Sequence, residues 1–327
     1  MRELSLSSSA SAEHDVVVAL DIGGTSIKGA LMTASGTLLH HCSAPTPSDD
    51  VISTVRGVLS QLTDSARGHG LSVVAAGVVS PGVIDEERGV VEYSTNLGWR
   101  DMPLRQHVSE HLSLPVTIGH DVRAAGLAEY RLGAARGARD FVLVALGTGI
   151  AGAIFTDGRA LRGGTSASGE IGHMPVFPNN DLCVCGQYGC LEIYSSAAGI
   201  ARRYTARTGQ ARTAKEIGER YAIDADARAI WDDAIDALGY TLTSLTLVLD
   251  STLFVLAGGL SLAGDSLYSA VHTAIQEKLT WRSAPQVIGS ALQADGGILG
   301  AGLLGWDAIP TTFTTPDAAT QGRSASA

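Results

Sequence analysis

Short apolar runs bounded by glycine alternate, along the 327 residues, with longer stretches in which apolar side chains recur every three or four positions. Runs of the first kind have strand length and stretches of the second kind have helical period, so the chain reads as α/β. VVVALDIGGTSIKGALMTASGTLLHH, at 16–41, predicts strand, glycine turn, strand, Ser-Gly turn, strand. FVLVALGTGIAGAIFTDGRALRG, at 141–163, repeats that order with an Asp-Gly hairpin signal at its second turn. A β-meander met twice predicts two domains of related topology facing each other.

Helices fill the intervals. Ile230, Ala234, Leu238, Leu242, Leu245 and Leu249 predict a long amphipathic helix over 228–249, and Leu267, Ala270, Val271, Ala274 and Ile275 predict another over 266–279. Segments 50–66 and 104–112 are also expected to be helical. TLFVLAGGLS lies between the two long helices and reads as a buried strand ending in Gly258-Gly259. The organisation expected is an N-terminal domain over 15–121, completed by a C-terminal helix at 297–307, and a larger domain over 122–296 carrying a loop at 173–192. Residues 1–14 and 308–327 are rich in Ser, Thr, Ala and Pro, have little to bury, and are expected to be disordered tails.

A net charge of −10 disfavours a broad basic face, so nucleic acid is not an expected partner. No apolar run reaches membrane-spanning length, and the first fifteen residues do not resemble a signal peptide. With Cys42 lacking an obvious partner, a secreted disulfide framework is not expected either, and a cytoplasmic location is.

The densest chemistry lies in HMPVFPNNDLCVCGQYGCLE, 173–192, which holds three of the four cysteines. His173, Cys183, Cys185 and Cys190 form a plausible tetrahedral ligand set for a structural zinc ion. Reduced surface thiols or a local disulfide are the alternatives, but cysteines two residues apart pair poorly with each other. Glu170 precedes His173 by one turn, and Glu192 follows the last cysteine.

Two glycine turns suit phosphates. Asp21-Ile22-Gly23-Gly24-Thr25 follows a buried strand; its glycines let backbone N–H groups approach an anion and Thr25 adds a hydroxyl. Asp21 would repel phosphates unless a cation lay between, which makes it a candidate for holding Mg²⁺ through water. Gly147-Thr148-Gly149 offers the same chemistry in the second copy, and Gly258-Gly259 suits a flat group such as adenosine. Ordinary hairpin chemistry also accounts for either turn alone. His120-Asp121 closes the apolar stretch LPVTIG and opens a helix, so Asp121 is placed as an N-cap or as a general base; spacing alone favours the cap.

Taken together, the motifs resemble the ROK family of sugar kinases and related repressors, within the two-domain actin/Hsp70/hexokinase-like (ribonuclease H-like) architecture. The resemblance runs from about Val16 to Gly305. Asp21-Ile-Gly-Gly-Thr and Leu146-Gly-Thr-Gly resemble the family's phosphate motifs, and Ala257-Gly-Gly-Leu its adenosine motif. Pro81-Gly-Val-Ile-Asp85 and Asn96-Leu-Gly-Trp99 resemble segments near the sugar. Gly169-Glu-Ile-Gly-His173 with the Cys183–Glu192 run resembles the zinc-and-sugar signature.

The resemblance implies an ATP-dependent hexokinase, foremost a glucokinase, with N-acetylmannosamine, fructose or allose as alternative substrates. Asp121 becomes the catalytic base, while Asn96, Glu170, His173 and Glu192 contact the sugar. It also implies a homodimer or a dimer of dimers. The chain departs from the pattern twice: His120 stands where the family has Asn, and Ser26 where it has Lys. Strand alternation puts Lys28 on the Ser26 side, where it could supply the missing charge or be a solvated lysine. Family repressors carry a helix-turn-helix ahead of the first phosphate motif; only twenty residues precede Asp21 here, with one Arg and no Lys.

Overall fold

The computed structural model of the chain describes residues 14–177 and 181–309. The predicted tails lie outside the described residues apart from His14, Ala308 and Ile309. Ala308 and Ile309 do not begin a tail; they cap and pack against the last helix.

In chain order the first half runs β1 (Asp15–Ile22), β2 (Ser26–Thr33), β3 (Leu38–Pro45), α1 (Val51–Gly68) and β4 (Ser72–Ser80). Then come β5 (Val83–Asp85), β6 (Val90–Ser94), β7 (Trp99–Met102), α2 (Leu104–Leu112), β8 (Val116–His120) and α3 (Asp121–Leu132). The second half runs β9 (Phe141–Leu146), β10 (Ile150–Thr156), β11 (Arg159–Ala160), α4 (Leu191–Ser195), α5 (Ala197–Thr208) and α6 (Ala214–Glu219). It ends with α7 (Ala225–Leu249), β12 (Leu253–Ala257), α8 (Asp265–Lys278), β13 (Gln286–Gly289) and α9 (Gly296–Asp307).

The repeated meander becomes two five-stranded sheets of one topology, β3-β2-β1-β4-β8 and β11-β10-β9-β12-β13. In each, the first three strands are antiparallel and the other two run parallel to the first. The two glycine turns therefore occupy equivalent places, between β1 and β2 and between β9 and β10. A small sheet, β5-β6-β7, which hydrophobic periodicity did not reveal, extends the first half.

Strand alternation explains the layering. On β1, Val16, Val18, Leu20 and Ile22 face α1 and α2, whereas Val17 and Ala19 face α9. On β9, Val142, Val144 and Leu146 join the core beneath α5, α7 and α8, whereas Phe141 and Leu143 face α3. Helices α3 and α9 thus lie between the sheets and pack on each other. Their crossing is so close that a Cβ on Gly300 would run into the Ala124 carbonyl oxygen, and α9 lies so close to β4 that one on Gly77 would run into the carbonyl oxygen of Ala301. Only bare backbone fits there.

Candidate active site

The first glycine turn is closed by Gly23 N–H donating to the Ser26 carbonyl at 2.9 Å. Thr46 braces it from outside: its hydroxyl donates to the Gly23 carbonyl at 2.6 Å, and its N–H to that of Thr25 at 3.0 Å. The second turn is closed by Gly147 N–H to the Gly149 carbonyl at 3.0 Å, and Ala197 N–H holds the Gly147 carbonyl at 2.9 Å. Both tips, Thr25 and Thr148, are exposed.

Asp21 stands directly across the strand pair from Lys28. Burial pushes its carboxyl up to about 6, the charge of Asp121 pushes the same way, and Lys28 opposes both. A carboxylate whose proton affinity is raised by a second carboxylate nearby offers a place for a cation. The α9 backbone covers Asp21, since a Cβ on Gly297 would lie 2.7 Å from its Oδ2.

The N-cap of α3 is His120, not Asp121. His120 Nδ1 accepts from the N–H groups of Val122 at 3.2 Å and Arg123 at 3.4 Å. The helix starts one residue earlier than its apolar period suggests, which makes Asp121 its first residue. Burial and the Arg123 charge lower the His120 ring to about 4, so it is neutral near pH 7. With Nδ1 accepting, its proton resides on Nε2. The 3.3 Å approach of Nδ1 to Asp121 Oδ1 is therefore no ion pair. Asp121 Oδ1 accepts the Val122 N–H at 2.7 Å. Burial nevertheless raises the Asp121 pKa, against the counteracting Val122 hydrogen bond and Arg123 charge.

Glu170 is exposed just ahead of the short turn Ile171–His173, and its charge reaches His120. Glu192, in the first turn of α4, accepts the Ile150 N–H at 2.8 Å through Oε2. That bond ties it to the second glycine turn. Asn96, in the β6–β7 turn, packs on the first: a Cβ on Gly24 would lie 3.1 Å from the Asn96 Cβ. Sequence-distant candidates are thus drawn together around both turns.

His173, Cys183, Cys185 and Cys190 present ligand atoms all within 4.8 Å of one another. Cys185 and Cys190 sulfurs are 3.7 Å apart, and Cys183 Sγ lies 3.8 Å from His173 Nδ1. A tetrahedral ion bonded to sulfur at about 2.3 Å requires edges of about 3.8 Å, so the set fits zinc. None of the three cysteines is joined in a disulfide. With Nδ1 facing the sulfurs, the other ring nitrogen of His173 is not needed as a ligand. Cys183 and Cys190 are buried in the core of the second sheet, which anchors the loop.

Gly258 has φ +85°, and a Cβ there would lie 2.5 Å from the Leu146 carbonyl, so it lies flat against the end of β9. Beside it opens a cavity of about 1000 Å³ lined by Gly259, Leu260, Leu262, Trp231, Ile235 and Lys215 among others. Sequence reading missed this wall, because Trp231 falls inside the helical segment that becomes α7 and nothing local marks it as lining a cavity. It also missed Thr46, which lies 23 residues from the carbonyl it holds.

Two sheets of one winding, two helices between them and a glycine turn at the end of each leading strand define the actin/hexokinase-like class of two-lobed α/β proteins. The ROK family model matches residues 17–307, and the chain belongs to the ROK family. It is 33% identical to the glucokinase of Halalkalibacterium halodurans over an alignment of 315 positions that covers 88% of this chain and 94% of that one. The crystal structure of the ROK hexokinase from Thermus thermophilus has a TM-score of 0.79 at 32% identity, covering 89% of this chain and 98% of that one. A ROK family glucokinase from Streptomyces griseus, solved in complex with glucose and AMPPNP, has a TM-score of 0.77 at 27% identity, covering 89% and 99%. No described helix is long and apolar enough to cross a membrane.

Proposed function

We propose that the chain is an ATP-dependent hexose kinase that converts glucose and ATP to glucose 6-phosphate and ADP. The observation that carries this reading is the convergence of Asp121, Asp21, His120, Glu170, Glu192 and Asn96 on two equivalent glycine turns. The sugar lies among Asn96, His120, Glu170, His173 and Glu192. Adenosine occupies the cavity beside Gly258-Gly259, and the phosphates span the turns at Gly23-Gly24-Thr25 and Gly147-Thr148-Gly149, with Lys28 beside them.

Asp121 orients the 6-hydroxyl and accepts its proton as that oxygen bonds to the γ-phosphorus and the bond to ADP breaks. Burial favours the step, since a carboxylate with raised proton affinity is a better base. Most of the acceleration in such a transfer comes from placement and charge stabilisation. Asp21 would hold Mg²⁺ through water, and that cation would neutralise phosphate charge. Zinc at His173 and the three cysteines would be structural, because four protein ligands leave no open position.

His120 favours a second reading on one point. With Nδ1 spent on the α3 cap, it presents a single donor to the sugar. N-acetylmannosamine, fructose or allose is then the alternative substrate. ADP release measured with ATP and a panel of hexoses and N-acetylhexosamines decides between them. Turnover of N-acetylmannosamine far above glucose reverses the substrate assignment, and no sugar-dependent ADP release at all overturns the kinase reading.

A further inference from the structure

Glu86 follows β5 in a turn pinned from both sides. Asp85 Oδ1 accepts the N–H groups of Glu87 at 3.0 Å and Arg88 at 2.8 Å. Arg105 of α2 donates to the carbonyls of Glu86 and Glu87. A backbone held this firmly presents one side chain in one direction. The Glu86 carboxylate is only 15% exposed, and its Oε1 accepts from Arg123 Nε at 3.3 Å and Nη2 at 3.1 Å. Its Oε2 takes Arg162 Nε at 2.9 Å.

Arg123 is more deeply buried still, 5% exposed, and its remaining nitrogen Nη1 donates to the Ser166 carbonyl at 3.1 Å. The three partners belong to three different pieces of the site. Glu86 extends from the small sheet of the first half. Arg123 lies two residues beyond Asp121, at the start of α3. Arg162 and Ser166 belong to the segment that leaves β11 and ends at Glu170. No local sequence signal links residues 86, 123 and 162; only the fold brings them together.

We propose that Glu86 and Arg123 are positioning residues, which set sugar affinity by holding the segment that carries Glu170 against the start of α3. This rests on the reading of Glu170 as a sugar ligand. A planar guanidinium that satisfies a carboxylate and a carbonyl at once fixes both partners in angle as well as distance. Lysine carries the same charge on a single rotating ammonium without the planar fork, so it does not fix the two partners in angle.

Glucose binding measured by calorimetry without nucleotide, together with steady-state kinetics, tests the assignment. E86Q and R123K are expected to raise the glucose Kd and KM together by about tenfold, leaving the KM for ATP within about twofold. Loss of one member of a buried pair also destabilises a protein, so a control is needed. The double variant E86M/R123M leaves neither side chain as an unpaired buried charge. It is expected to melt close to wild type and still bind glucose weakly. Wild-type glucose affinity in E86Q, R123K or the double variant overturns the proposal. Failure of the underlying reading looks different: wild-type protein then neither binds nor phosphorylates glucose, or E170Q binds it as well as wild type does.

Discussion

Asp21 is held in the crevice at the expense of stability, and Asp21→Asn makes that measurable. Its folded-state pKa is about 6 against an ordinary 3.8, with burial as the first cause and the Asp121 charge as the second. At about 1.4 kcal/mol per pH unit, this disfavours the folded state by about 3 kcal/mol when the carboxylate is ionised. Discounting for the part of the side chain open to the crevice leaves about 2 kcal/mol. The sign follows from linkage. A group whose pKa is raised on folding contributes its stability below the unfolded value of 3.8 and loses it as pH rises through about 6. D21N, nearly isosteric and uncharged, should therefore exceed wild type by about 2 kcal/mol at pH 7 in magnesium-free buffer and match it near pH 3.5. His120 acts oppositely: its pKa is lowered to about 4 from 6.5, so its contribution is complete above 6.5 and lost as pH falls through 4. D21N should uncover that acid limb, which Asp21 masks in wild type. Urea unfolding from pH 3.5 to 8 reads both effects. A D21N protein less stable than wild type at pH 7 would refute the reasoning, because it would mean Lys28 outweighs burial. The same variant should lose turnover, as a group retained against stability is retained for chemistry.

Other consequences are checked more simply. D121N should lower kcat by about 10²- to 10⁴-fold with glucose Kd within about threefold; unchanged turnover refutes Asp121 as the base. Purified protein should contain zinc at about one per chain by elemental analysis, and chelation should weaken glucose binding about tenfold or more by loosening the loop beneath Glu192. Finding no metal ends that assignment. H120N keeps an N-cap acceptor, so its melting temperature should stay near wild type, while the ratio of kcat/KM between glucose and N-acetylmannosamine should move by about tenfold. An unmoved ratio means that residue 120 does not face the sugar.

Much of the candidate site was legible because its chemistry is local. Glycine-threonine turns, a histidine with three cysteines and the Gly258-Gly259 pair declare themselves by residue type and short spacing. The position of Asp121 was legible, but its role as a cap was misread. His120 takes the cap because the preceding strand carries its ring over the N–H groups of both Val122 and Arg123, whereas the Asp121 carboxylate reaches only that of Val122. Thr46, the cavity wall at Trp231 and the Glu86–Arg123–Arg162 bridge were not legible. Each joins residues far apart in the chain, and no periodicity encodes such a contact.

Two meanders of one winding, the helices with a single apolar face and the four-ligand loop were all determined by the order of residues, since each depends on interactions within a few positions. Only the tertiary structure decided which carboxylates share a crevice, which histidine nitrogen remains free and how the Glu170 segment is tied down. Burial and electrostatic coupling are properties of neighbours in space, and those neighbours exist only once α3 and α9 bring the two sheets together.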